Sequence, residues 1–116
     1  MKTILLADDE EDVRETLGHF IERRGMGALK AKDGIEALQL YQEYTPDCTL
    51  LDAKLPEMDG VKVFQKIKQL NPQAKVYFIT GITDVKFKDK VKELGADGYL
   101  AKPIVLEDLL KIVESI

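Results

Sequence analysis

Short apolar runs alternate along the chain with longer stretches in which apolar residues recur every three or four positions. Thr3 to Ala7 is apolar and β-compatible, and it stops abruptly at Asp8, Asp9 and Glu10. Val13, Leu17, Phe20 and Ile21 then recur at helical spacing, with acids in the first turn, Arg23 and Arg24 near the last, and Gly25 as a stop. Ala28 to Lys32 reads as a weaker strand, suited to a sheet edge. Asp33 caps a second helix, with Glu36 three residues on, and Ile35, Leu38 and Tyr41 form its expected apolar face. After the turn Thr45-Pro46-Asp47 comes a short run, Cys48 to Leu51, that ends at Asp52 and enters a loop marked by Pro56 and Asp59-Gly60. Thr49 interrupts this run, and a local hydrogen bond is expected to satisfy its hydroxyl. Val61, Phe64, Ile67 and Leu70 mark a third helix. Val76 to Ile79 is a fourth strand, leading to Thr80-Gly81. Asp84 caps a helix with Phe87, Val91 and Leu94 on one face, Gly98 to Ala101 is a fifth strand ending at Lys102-Pro103, and Leu106, Leu109, Leu110 and Val113 close the chain as a helix.

Strand then helix, five times over, implies one α/β domain: a doubly wound, five-stranded parallel sheet with helices on both faces. In such a sheet the carboxyl ends of the strands share one edge, and ligands bind there. That edge collects Asp8 and Asp9 from the first strand, Asp52 from the third, Thr80 from the fourth and Lys102 from the fifth. Helix capping explains one or two of the acids but not Asp52, which lies on a different strand. Three carboxylates in one crevice repel; at an effective dielectric near 20, a pair about 4 Å apart costs roughly 4 kcal/mol. One lysine cannot neutralise three acids, so a hard divalent cation with oxygen ligands and water, Mg²⁺, fits. A metal, an amine and a hydroxyl around a carboxylate form a phosphoryl site, with Asp52 as the attacking oxygen.

Length and composition narrow the partners. The 116 residues suit one domain, 45% are apolar, and the formal charge is −4. That balance speaks against direct nucleic-acid binding, which needs a basic patch. No apolar segment approaches membrane-spanning length, so no membrane partner and a cytoplasmic location are expected. The single cysteine, Cys48, lies in an apolar run and reads as core. His19 reads as a structural residue on the first helix, and the lysines at 86, 88, 90 and 92 as a solvated helix face.

The ordered motifs resemble the receiver domain of two-component response regulators. They are Asp8-Asp9, Leu51-Asp52, Leu55-Pro56-Glu57-Met58-Asp59-Gly60, Thr80-Gly81 and Ala101-Lys102-Pro103, and the likeness spans the whole chain, 1–116. Asp-Ala-Lys-Leu-Pro after the central strand is most similar to small stand-alone receivers of the chemotaxis and sporulation-phosphorelay kinds. The resemblance implies a flavodoxin-like strand order of 2-1-3-4-5 and a phosphoacceptor rather than an enzyme. It implies that Asp52 takes its phosphoryl group from a phosphohistidine on a sensor histidine kinase. It further implies Mg²⁺ ligation by Asp8, Asp9, Asp52 and the backbone carbonyl of Lys54, a switch pair of Thr80 and Tyr99, and a cis peptide before Pro103. Ile104 and Val105 are read as helping a kinase helix dock beside the first helix, or as core. An apolar Ile82 implies a long-lived phosphoaspartate.

Other readings fit less well. An aspartyl-phosphate hydrolase would resemble Asp-x-Asp-x-Thr after the first strand, and neither that pattern nor a glycine-rich nucleotide loop is present. A stand-alone regulator is expected; the alternative is a receiver fragment of a longer DNA-binding transcriptional regulator.

Overall fold

A computed structural model describes residues 1–81 and 84–116. Strands β1 (Thr3–Ala7), β2 (Gly27–Ala31), β3 (Cys48–Asp52), β4 (Val76–Gly81) and β5 (Gly98–Lys102) alternate with helices α1 (Glu11–Arg23), α2 (Gly34–Tyr44), α3 (Gly60–Leu70), α4 (Val85–Leu94) and α5 (Leu106–Glu114). All four strand pairings are parallel, in the order β2-β1-β3-β4-β5. The expected topology is therefore present, with β2 at an edge.

Successive strand residues point to opposite faces, and both faces are covered. Ile4, Leu6, Leu50 and Ile79 pack with Leu17 and Ile21 of α1 and Leu109 and Val113 of α5. Leu5, Ala7, Leu51 and Phe78 pack with Tyr41 of α2, Phe64 and Ile67 of α3 and Val91 of α4. Two covered faces explain why the central strands read as continuous apolar runs rather than alternating ones. Cys48 is core, as expected, and burial pushes its thiol up to about 12.

At the amino ends of the strands two aspartates pin the register. Asp47 accepts from the Thr3 backbone N–H at 2.8 Å and returns its own N–H to the Thr3 carbonyl. Asp97 makes the same reciprocal pair with Val76. Each lies just before a strand and clamps it to the neighbour, leaving the opposite edge to the carboxyl-end residues.

Three details differ from the sequence expectation. Ile35 and Leu70 are exposed; α2 instead buries Gly34, Ala37 and Tyr41, and α3 buries Val63 along with Phe64 and Ile67. Helix periodicity gives a stripe about a hundred degrees wide, and the sheet decides which edge of it turns inward. Thr49 is fully buried between Leu5 and Val76, and its hydroxyl has no partner among the described residues. In mid-strand its side chain stands off the sheet, beyond reach of its own ladder groups, so the expected local bond does not form. Thr49→Val replaces a stranded hydroxyl with a methyl of nearly equal volume. It should stabilise the fold by about 1–2 kcal/mol, raising Tm by roughly 4 °C or more. A melting temperature that falls would show that the hydroxyl has a partner.

Candidate functional site

Each residue of the site is fixed by the end of a strand. Asp8 follows β1 and is 1% exposed. Its backbone N–H donates to the Ala31 carbonyl, and its Oδ1 accepts the Glu10 N–H at 2.9 Å. Asp52 ends β3 and is 7% exposed. Its Oδ1 accepts the Lys54 N–H at 2.9 Å, which aims the carboxylate across the edge. Gly60 lets the following loop close here, since a Cβ would lie 2.1 Å from the Asp52 carbonyl oxygen. The same loop rests on α2, where the Gly34 N–H donates to the Pro56 carbonyl at 3.1 Å. Glu57 in this loop takes a φ of 68°, a left-handed conformation uncommon outside glycine.

Lys102, at the end of β5, joins these groups. Its Nζ lies 2.8 Å from Glu10 Oε1, 3.0 Å from Asp8 Oδ2 and 3.2 Å from Asp52 Oδ2. The peptide it makes with Pro103 is cis, as expected. Thr80 ends the buried part of β4; it is 3% exposed, and its hydroxyl has no hydrogen-bond partner among the described residues. A cavity of about 590 Å³ opens onto Asp9, Glu10, Asp52, Lys54, Thr80, Asp84 and Lys102.

The electrostatics follow from this crowding. Burial pushes the Asp52 carboxyl up, and the neighbouring Asp8 charge adds to it, against the Lys54 N–H and Lys102. Burial alone would lower the Lys102 ammonium, but its bonds to Glu10 and Asp8 and the Asp52 charge outweigh that and hold it above the usual amine range. The bond from Lys102, and then its charge, lowers Glu10. Carboxylate oxygens of Asp8, Asp9 and Glu10 lie within 4.8 Å of one another. Acids outnumber ammonium groups around the cavity, and Asp8 Oδ2 is buried with no hydrogen-bond partner among the described residues beyond the contact with Lys102. That donor set fits a divalent cation that prefers oxygen ligands.

The chain matches the family model for the response regulator receiver domain over residues 4–114. It belongs to that family. The chain is 31% identical to the chemotaxis protein CheY of Halobacterium salinarum over 115 residues, covering 99% of this chain and 96% of that protein. It is 30% identical to sporulation initiation phosphotransferase F of Bacillus subtilis, covering 96% of this chain and 90% of that protein. The crystallised chemotaxis protein CheY4 of Vibrio cholerae superposes with a TM-score of 0.90 at 28% identity, covering 100% of this chain and 98% of that one. Other curated relatives are longer: the chain spans 31% of one and 46% of others.

Within this receiver domain, Asp9, Asp52, Lys54, Thr80 and Lys102 line one cavity, and Asp8 joins them through its contact with Lys102. Tyr99 stands apart: it is 43% exposed on β5, with the Lys88 ammonium 5.5 Å from its ring centre. Ile82 lies outside the described residues. Two further acids line the cavity, Glu10 and Asp84. Glu10 is a third acid after β1, masked in the sequence by the acidic start of α1. Asp84 also caps α4, accepting the Phe87 N–H at 3.1 Å. Ile104 packs partly against the α1–α5 core, Val105 is exposed, and His19 is exposed on α1. No helix among the described residues is long and apolar enough to cross a membrane.

Proposed function

We propose that residues 1–116 act as a phosphoacceptor switch in which Asp52 takes a phosphoryl group from the phosphohistidine of a sensor histidine kinase. The observation that carries this reading is the convergence of Asp8, Asp52 and Glu10 on the single Lys102 ammonium within 3.2 Å, beside a Thr80 hydroxyl that has no partner among the described residues. Asp52 supplies the attacking oxygen. A P–O bond forms to its carboxylate, the donor's P–N bond breaks, and that electron pair returns to the imidazole, kept neutral by a proton. Lys102 moves from the carboxylates to the phosphoryl oxygens, and the Thr80 hydroxyl donates to another. Asp8, Asp9, Asp52 and the Lys54 carbonyl would hold Mg²⁺, which when bound neutralises charge on the transferring group.

The switch follows from charge. A phosphoryl group adds acceptor oxygens beside the buried Thr80 hydroxyl, so it binds more tightly to the state in which Thr80 faces it. Tyr99, exposed in this state, then turns into the space Thr80 leaves. The same machinery positions water for autodephosphorylation. The groove of about 650 Å³ between α1 and the start of α5, lined by Val13, Leu17, Ile104 and Leu106, suits an apolar helix carrying the donor histidine. Incubation with Mg²⁺ and a small phosphodonor should place one phosphoryl group, and peptide mass mapping should find it on Asp52. Labelling at another residue, or none, would overturn the assignment.

A further inference from the structure

The acidic cavity and the apolar groove share two lining residues, Glu10 and Lys102. Their side chains meet at 2.8 Å, the shortest of the three Lys102 contacts, so this ion pair is the wall between groove and acceptor. Lys102 is also held from the buried side, by Asp8 and Asp52 at 3.0 and 3.2 Å. The Glu10 side chain is 60% exposed and stands at the rim. Its carboxylate therefore puts a negative charge on the approach to Asp52, in a cavity where acids already outnumber lysines. All phosphoryl donors are anionic before they react. A free donor meets this charge with only Lys102 beside it, whereas a protein donor seated in the groove can offer Glu10 a cation of its own.

We propose that Glu10 is a specificity-determining residue whose charge, standing between the groove and Asp52, disfavours free anionic phosphoryl donors relative to a protein donor that carries a basic group beside its phosphohistidine. This rests on the reading of Asp52 as the acceptor. The discrimination scales with donor charge. Acetyl phosphate approaches as a dianion; its P–O bond breaks, the electron pair leaves on acetate, and the phosphoryl group passes to Asp52. Phosphoramidate approaches as a monoanion whose nitrogen already carries the proton it needs; its P–N bond breaks, the electron pair leaves on neutral ammonia, and the phosphoryl group passes to Asp52.

Glu10→Gln isolates the effect, because the amide oxygen can still accept from Lys102 while the charge is gone. A unit charge roughly 7 Å from the path in water changes the encounter by about three-fold per donor charge. The variant should therefore gain roughly nine-fold with acetyl phosphate and about three-fold with phosphoramidate at low ionic strength. Both gains should fade toward one at about 1 M salt, where the screening length is about 3 Å. Rates are read as Asp52 labelling by mass spectrometry with Mg²⁺ present. Independently of metal, titration of inorganic phosphate into metal-free protein, followed by phosphorus NMR, should show tighter binding to the variant. Equal gains for the two donors, a change insensitive to salt, or slower labelling of the variant would mean that Glu10 only places Lys102, and would overturn the proposal. If neither donor labels wild-type Asp52, the acceptor assignment itself fails; if wild type is labelled and the ratio between donors does not move, only the Glu10 assignment fails.

Discussion

Asp52→Asn should abolish phosphorylation and, in the absence of metal, make the protein more stable. The first effect follows because the amide oxygen is a poor nucleophile and no other described carboxylate both lies beside the Thr80 hydroxyl and ends a central strand. The second follows from the burial and the Asp8 charge that push the Asp52 carboxyl up. A raised acid binds its proton more tightly in the folded state than in the unfolded chain. The folded state is then unburdened at low pH and loses stability as pH rises through the carboxylate range and past the raised value. The variant has no such loss. Its advantage should be absent at the acid end, grow as pH rises, and level off once the pH is above the raised folded-state value, at about 1 kcal/mol, the order of a single stabilising substitution. Mg²⁺ should shrink the difference, since it stabilises the wild type by binding the native carboxylates. Thermal melts of both proteins across pH, with chelator and with Mg²⁺, give the test. A variant less stable than wild type at neutral pH in chelator would mean that Asp52 is held by favourable pairing rather than carried as a burden.

Lys102→Ala should have the opposite effect on the metal-free protein. It strands Asp8 and Asp52, both buried, without the ammonium that joins them. Removing one partner of a fully buried pair costs about 3–5 kcal/mol, and the partial exposure of Lys102 and Glu10 reduces this to about 2 kcal/mol. Because Lys102 is held above the usual amine range, its contribution is complete at every pH below that of a free lysine and is lost only in strong alkali. The deficit should therefore be flat from about pH 6 to pH 9 and shrink in acid as Asp52 takes up a proton. Mg²⁺ should restore much of it and should raise the melting temperature of the variant more than that of wild type, because no lysine competes for the carboxylates. Equal Mg²⁺ increments in the two proteins would show that Lys102 and the cation do not contend for the same oxygens. Phosphorylation should slow sharply in the same variant, for want of a cation to leave the carboxylates for the phosphoryl oxygens.

The order of elements and the identity of most site residues were legible in the sequence for one reason: a parallel sheet puts every strand's carboxyl end on one edge. A polar residue ending an apolar run, as Asp52, Thr80 and Lys102 do, is thereby placed without knowledge of the packing. Caps were legible too, because Asp33 and Asp84 act on backbone groups three residues away. Matters that depend on rotation or distance were not. Ile35 and Leu70 satisfy helical periodicity yet face outward, while Gly34 lies inward because its backbone touches the loop after Asp52.

What the chain itself determined is the alternation of strand and helix, and with it the company Asp52 keeps, since local propensity and capping act over a few residues and the sheet's parallel sense does the rest. What only the tertiary structure decided is how three carboxylates share one ammonium, that Glu10 rather than Asp9 completes that set, and that the Thr49 and Thr80 hydroxyls are buried without partners among the described residues. Those outcomes depend on distances of about 3 Å between residues as far apart along the chain as Glu10 and Lys102, and such distances are set by how two helical layers press on the sheet, which no local pattern encodes.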